Sequence, residues 1–201
     1  RRIENLNPRF QQWVISMDKL NEVKNNSLIE WPEDARITWL EYSDLECPFC
    51  KRQNDQWVIS QVSNTNEWKV NHSFRNFPMV SLHPTAKKWA RVLQCVWKLQ
   101  WAEKYHQYKE NVFSVLNNPT ETKYKEVAYN MWVDQEKLDS CYDSQETANE
   151  VENSINEWKN VFGVRWTPWN VLIDNETWRY VVVAGAYPAN AFNDIISKMT
   201  K

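Results

Sequence analysis

Apolar positions along the chain change period several times, and each change marks an element. Ile37-Thr38-Trp39-Leu40 is a continuous apolar run that predicts a buried strand over residues 36–42. A polar stretch with spaced apolar residues follows and predicts a helix from Pro48 to about Ser63, with a turn over Asn64–Trp68. Lys69-Val70-Asn71-His72-Ser73-Phe74-Arg75-Asn76-Phe77 alternates and predicts a second core strand, which Pro78 ends. From Pro84 to Val161 the spacing is helical. Ala86, Ala90, Val92, Leu93, Val96 and Leu99 recur every three or four residues, and Tyr105, Tyr108, Val112, Phe113 and Leu116 continue the pattern. Asn117-Asn118-Pro119-Thr120 interrupts it before helices predicted at about 121–131, 134–142 and 144–160. Val171–Ile173 and Arg179–Ala184 read as paired hairpin strands, and Pro188–Met199 as a closing helix. Residues 1–30 are polar with scattered apolar positions and read as a helix or a tether. The order is a βαβ unit and a ββα unit separated by a helical block.

Between the first strand and the first helix stands Cys47-Pro48-Phe49-Cys50. A C-x-x-C at a strand-to-helix junction points to thiol–disulfide chemistry. A helix start offers unpaired N–H groups and a positive dipole end, which stabilise a thiolate at Cys47. Pro48 suits the first turn, where its missing N–H costs nothing. A free thiol titrates near ~8.5 and helix-start C-x-x-C cysteines at roughly 3.5–7.5. A fall of about two units is worth ~2.7 kcal/mol to the thiolate and makes the disulfide more oxidising. The expected roles are an exposed attacking sulfur at Cys47 and a shielded resolving one at Cys50.

Composition adds one anomaly. Tryptophan occurs 13 times and glycine 2 times in 201 residues, whereas glycine ordinarily makes up about 7%. Several tryptophans stand where backbone logic asks for glycine: Trp178 closes a turn between strand-like runs, Trp132 follows a helix, and Trp68 precedes a strand. The expectation is that most are glycines in the organism, through UGA codons read as Gly, with Trp39 the exception because a strand favours a large aromatic; a genuinely Trp-rich protein is the alternative.

The formal net charge of −2 excludes a strong field for nucleic acid or anionic membrane. No apolar run approaches the ~20 residues that span a bilayer. The polar opening Arg1-Arg2-Ile3-Glu4-Asn5 carries no export signal, and the numbering could begin after a removed signal or anchor. His72, His83 and His106 are scattered and no second close cysteine pair exists, so no metal site is expected. Lys87, Lys88, Glu103, Lys104, Lys109 and Glu110 read as solvated helix surface.

The chain resembles the DsbA-like thiol–disulfide oxidoreductases of the thioredoxin superfamily over about residues 30–199. Four segments carry the likeness: Ile37–Asp44 before Cys47-Pro48-Phe49-Cys50, then Phe74-Arg75-Asn76-Phe77-Pro78, then His83-Pro84, and last Phe162-Gly163-Val164-Arg165-Trp166-Thr167-Pro168. The family reads Gly-Val-x-Gly-Thr-Pro at the last, so Trp166 falls on a family glycine. The resemblance implies an α/β thioredoxin-like fold, a central mixed sheet flanked by helices with a helical insertion. Residues 31–83 and 161–201 would form the thioredoxin-like domain and 84–160 the inserted subdomain.

It further implies that Pro168 is a cis-proline facing the active-site disulfide. Thr167 and Pro168, with Pro48 and Phe49, would then meet an extended substrate. Glu41, six residues before Cys47, is the implied buried carboxylate that relays a proton as Cys50 ionises, against the plainer reading of a strand-rim acid. Phe49 replaces the histidine of the best-known oxidases, and Lys51 and Arg52 could compensate as nearby positive charge. Some relatives carry a second disulfide in the insertion, which Cys95 and Cys141 could form. Two free buried thiols are the alternative, and a Cα–Cα distance within ~4.4–6.8 Å decides between them.

The implied function is the introduction or exchange of disulfides in reduced exported polypeptides. A quinone-linked membrane partner would reoxidise the enzyme outside the cytoplasm, in periplasm or cell envelope, and no cofactor is needed. The expected state is a monomer, with a membrane tether conceivable through a missing N-terminal segment. The rivals are a reductase or isomerase of the same fold, or a redox-inactive binding or chaperone module.

Overall fold

The computed structural model describes residues 3–25, 27–29, 32–67, 69–115 and 123–201. In chain order the elements are β1 (Gln11–Val14), α1 (Met17–Asn25), β2 (Ile37–Ser43), α2 (Pro48–Asp55), α3 (Val58–Thr65) and β3 (Val70–Asn76). They continue with α4 (Ala86–Val115), α5 (Lys123–Tyr129), α6 (Gln135–Asp143), α7 (Gln145–Phe162), β4 (Trp169–Asp174), β5 (Arg179–Ala184) and α8 (Ala189–Met199). The predicted break at Asn117–Thr120, Leu116 and the turn residue Trp68 lie outside the described residues.

The chain divides into two compact units. The first comprises Arg1–Tyr42, Arg52–Arg75 and Arg165–Lys201. Its five-stranded sheet has the order β1-β5-β4-β2-β3. β4 runs antiparallel to both β2 and β5, with Leu40 opposite Val171 and Val171 opposite Val182. β2 and β3 are neighbours joined by a helical crossover, the connection that parallel strands require. β2 and β4 are buried at every position, which is why they read as continuous apolar runs. The N-terminal stretch, read as helix or tether, holds the helix α1 and, before it, the unforeseen edge strand β1 on β5. Gln11-Gln12-Trp13-Val14 is too short and too polar to signal a strand by itself.

The core of this unit lies between the sheet and helices α3 and α8. Phe192, Ile195, Ile196 and Met199 recur at three- and four-residue spacing on α8 and are buried with Val58 and Val62 of α3. Trp39 stacks on Phe192 at 4.2 Å between ring centroids and is fully buried. An indole removes 150–250 Å² from water, worth roughly 4–6 kcal/mol at ~25 cal/mol per Å². Its Nε1–H donates to Asn170 Oδ1 at 2.9 Å. Asn170 is a buried hub: its Oδ1 also accepts from Gln53 Nε2 at 3.1 Å, and its Nδ2 donates to the carbonyls of Val183 and Gly185. Asn170→Ala strands these groups, and a loss of about 2–3 kcal/mol is expected in chemical unfolding.

The second unit comprises Ser43–Lys51 and Asn76–Val164. α4 packs against α5, α6 and α7. Asp134 caps α6 by accepting from Lys137 N, and Ser144 caps α7 by accepting from Thr147 N. Gly163 ends α7 in the left-handed conformation. Lys109, expected on a solvated face, is buried beside Glu110 at 3.4 Å; a long aliphatic stem allows that placement.

The helix predicted from Pro48 to Ser63 is broken after Asp55, because Trp57 adopts the left-handed conformation with φ of 53°. Trp132 (φ 62°) and Trp178 (φ 59°) share it. At the end of α5 the Val133 N–H bonds the Ala128 carbonyl and the Trp132 N–H bonds the Tyr129 carbonyl. That pair of bonds is a complete Schellman motif with tryptophan at the position glycine normally holds.

Candidate active site

β2 ends at Ser43 and α2 begins at Pro48, so Asp44–Cys47 forms the loop between sheet and helix. The Cys47 carbonyl accepts from the Lys51 N–H at 3.0 Å, the first intrahelical bond, which makes Cys47 the N-cap and Pro48 the first helical residue. Cys47 N–H in turn donates to the Asp44 carbonyl at 3.0 Å. Cys47 and Cys50 are both thiols in this structure, with no disulfide between them. Cys50 is wholly buried, and Cys47 is only 4% exposed, so the expected exposure of Cys47 is corrected. The exposed group of the motif is Phe49, at 54%. Phe49, the second helical residue, takes the solvent.

The two sulfurs are not equivalent. Burial pushes the Cys50 thiol well above its ordinary range, and its hydrogen bond to Cys47 adds to the rise. The Asp44 backbone and the Ser43 hydroxyl act in the opposite sense, as donors to a Cys50 thiolate must. Ser43 Oγ is buried and has no hydrogen-bond partner of normal geometry among the described residues, so it is a donor held ready for that thiolate. A thiol whose folded-state pKa is raised stabilises the fold fully below the free-thiol value near ~8.5 and loses that contribution as pH climbs toward the folded value. Above about pH 9 the reduced protein is therefore expected to lose stability relative to the oxidised form, whose sulfurs do not titrate. Guanidinium unfolding of both forms across that range checks this, and the buried tyrosines, common to both, cancel.

The remaining sequence-selected residues are placed as follows. Glu41 is buried on β2, with Oε2 3.0 Å from Nε2 of His72 on β3, itself buried. The Thr167–Pro168 peptide is cis, both residues are buried, and the Pro168 carbonyl accepts from Gly185 N–H at 2.8 Å. Cys95 of α4 and Cys141 of α6 are bonded, with Cα atoms 5.9 Å apart, and Thr147 Oγ1 lies 3.8 and 3.5 Å from their sulfurs.

Two residues passed over in the sequence carry the loop. Asp44, fully buried, accepts at Oδ1 from Glu46 N–H (2.8 Å) and at Oδ2 from Met79 N–H (2.7 Å) and His83 Nδ1 (2.9 Å). An aspartate three residues before a C-x-x-C gave no signal of its own, and His83-Pro84 suggests by sequence only a loop or helix entry. His72 and His83, scattered in sequence, each face a carboxylate.

A family model described as Thioredoxin matches residues 32–192. The chain belongs to the thioredoxin family. Among solved structures, this thioredoxin-family chain is similar to DsbA2 of Pseudomonas aeruginosa, with 23% identity, a TM-score of 0.71, and coverage of 85% of this chain and 92% of that one. A thioredoxin-like oxidoreductase of Silicibacter pomeroyi matches with a TM-score of 0.74 at 19% identity, over 92% and 98% of the two chains. The thiol-disulfide exchange protein α-DsbA2 of Wolbachia pipientis matches with 0.70 at 18%, over 92% and 100%. No curated protein sequence matches. The fold is thus DsbA-like: a thioredoxin sheet with a helical insertion between β3 and β4.

Proposed function

We propose that this DsbA-like oxidoreductase introduces disulfides into reduced polypeptides outside the cytoplasm through Cys47 and Cys50. The observation that carries the reading is the asymmetry of the pair: Cys47 caps α2, while Cys50 is fully buried and holds its proton. In the oxidised form a client thiolate attacks Cys47 Sγ, a client–Cys47 bond forms, and the Cys47–Cys50 bond breaks with its electron pair on Cys50, which takes up a proton. A second client thiolate attacks the client sulfur of that mixed disulfide and expels Cys47 as a thiolate. Two electrons pass from client to enzyme. Exposed Phe49 offers an apolar contact for an unfolded client. By resemblance Thr167 and Pro168 are the substrate-side backbone, and Glu41, paired with His72, is the proton acceptor. A quinone-linked membrane partner would restore the disulfide. Among the described residues no helix is long and apolar enough to cross a membrane.

The test is the reduction potential of the pair in glutathione buffers, with oxidation of a dithiol peptide as the activity. A potential well above about −270 mV supports the oxidase, and a value at or below that of thioredoxin supports a reductase instead.

A further inference from the structure

We propose that His83 is a positioning residue for the redox pair, acting through Asp44. The loop that presents Cys47 is tied at both its acidic residues to the segment leading into α4. Asp44 takes the imidazole of His83 and the Met79 N–H, and Glu46 takes the Thr85 hydroxyl and Trp89 Nε1. The Met79–His83 turn is itself closed, with the Leu82 and His83 N–H groups on the Met79 carbonyl. Force passes from this turn to the active site in one residue: the Asp44 side chain holds the turn, and the Asp44 carbonyl holds the Cys47 N–H.

A buried carboxylate satisfied by three donors is rigid, and losing one donor leaves it short by a charge-assisted bond. The aspartate then has reason to reorient and carry the Cys47 cap with it. Because the carboxylate accepts, His83 must present its proton at Nδ1, so the geometry specifies which nitrogen matters.

The inference rests on the redox role proposed for Cys47 and Cys50, and the experiment separates the two. The readout is the equilibrium of the pair with glutathione. In H83A the equilibrium constant for forming the dithiol is expected to fall about three- to tenfold, the upper figure being ~30 mV. His83→Asn, whose amide N–H can stand in for Nδ1–H, should keep the wild-type value, while His83→Gln, whose donor reaches the Nε2 position, should not. Equal potentials in H83N and H83Q, or an unchanged potential in folded H83A, overturn the positioning role. A wild-type chain without reversible exchange at Cys47 and Cys50 would overturn the oxidoreductase reading instead.

A separate observation carries a second inference. We infer that Trp57, Trp132, Trp166 and Trp178 are glycines in the native protein, encoded by UGA codons that its organism reads as Gly. Three of them occupy left-handed backbone, where a bulky residue is an outlier. Trp132 is 91% exposed at the glycine position of a Schellman motif, and Trp178 closes the Asp174–Trp178 turn with its N–H on the Asp174 carbonyl. Trp166 is exposed in the Thr-Pro loop. Trp39, in contrast, is a strand residue with a buried, hydrogen-bonded indole, and its codon should be UGG. Sequencing the coding DNA and mapping tryptic peptides of the native protein decide the matter. UGA at the four positions with glycine-mass peptides is the expected result, and UGG at any of them overturns it. In recombinant protein, Trp57→Gly, Trp132→Gly and Trp178→Gly should each raise the melting temperature by about 2–4 °C.

Discussion

Cys47→Ser should bring catalysed oxidation of a dithiol peptide down to the uncatalysed rate, while Cys50→Ser, offered glutathione disulfide, should accumulate a mixed disulfide on Cys47 as one glutathione thiolate leaves. The two outcomes differ because the sulfurs sit differently. Cys47 caps the helix, whereas Cys50 is sealed from solvent and keeps its proton. Cys47 alone can take a glutathionyl group from glutathione disulfide, but without Cys50 no neighbouring enzyme thiol displaces it, and no Cys47–Cys50 disulfide exists to oxidise a reduced client. Peptide oxidation kinetics and non-reducing mass spectrometry read both effects. A Cys47→Ser chain that oxidises the peptide at the wild-type rate would exclude covalent catalysis at this pair.

The second large effect is on stability. Cys95 and Cys141 are bonded across 46 positions and tie α4 to α6 in the second unit. Cross-linking a loop of that length removes chain entropy from the unfolded state worth about 4 kcal/mol at 25 °C. The Cys95→Ala/Cys141→Ala protein is expected to unfold at lower denaturant by about that free energy, with the Cys47–Cys50 potential little altered. A loss below about 1 kcal/mol would show that helix packing already restrains the unfolded chain.

The strands and helices were legible where apolar runs or periods mark a buried face. β2 holds the apolar run Ile37–Leu40 and is buried throughout, and α8 carries a three- and four-residue stripe. Val70–Asn76 reads as alternating in sequence, yet β3 is buried at every position before Asn76. The C-x-x-C declared its own chemistry and its place at a helix start. What stayed hidden was set by tertiary contact. Cys47 is buried although it stands at a helix start, and spacing cannot report that. Asp44 and His83 are 39 residues apart and meet only after the chain reverses through Met79–His83. β1 became a strand because β5 offered it an edge. The break in the first helix was masked because Trp57 has no low-propensity signature, although its backbone angle is one that glycine adopts freely.

That break has a bearing on how the protein can diverge. The field of a helix end acts within about one turn, so the peptide groups of Pro48–Asp55 suffice to favour an anion at Cys47, and α3 adds nothing to it. Selection on α3 then falls on Val58, Val62 and Ile59, which pack in or against the core. The sulfur chemistry asks nothing of the dipole of α3, and its outer positions can change without altering the peptide groups that begin α2.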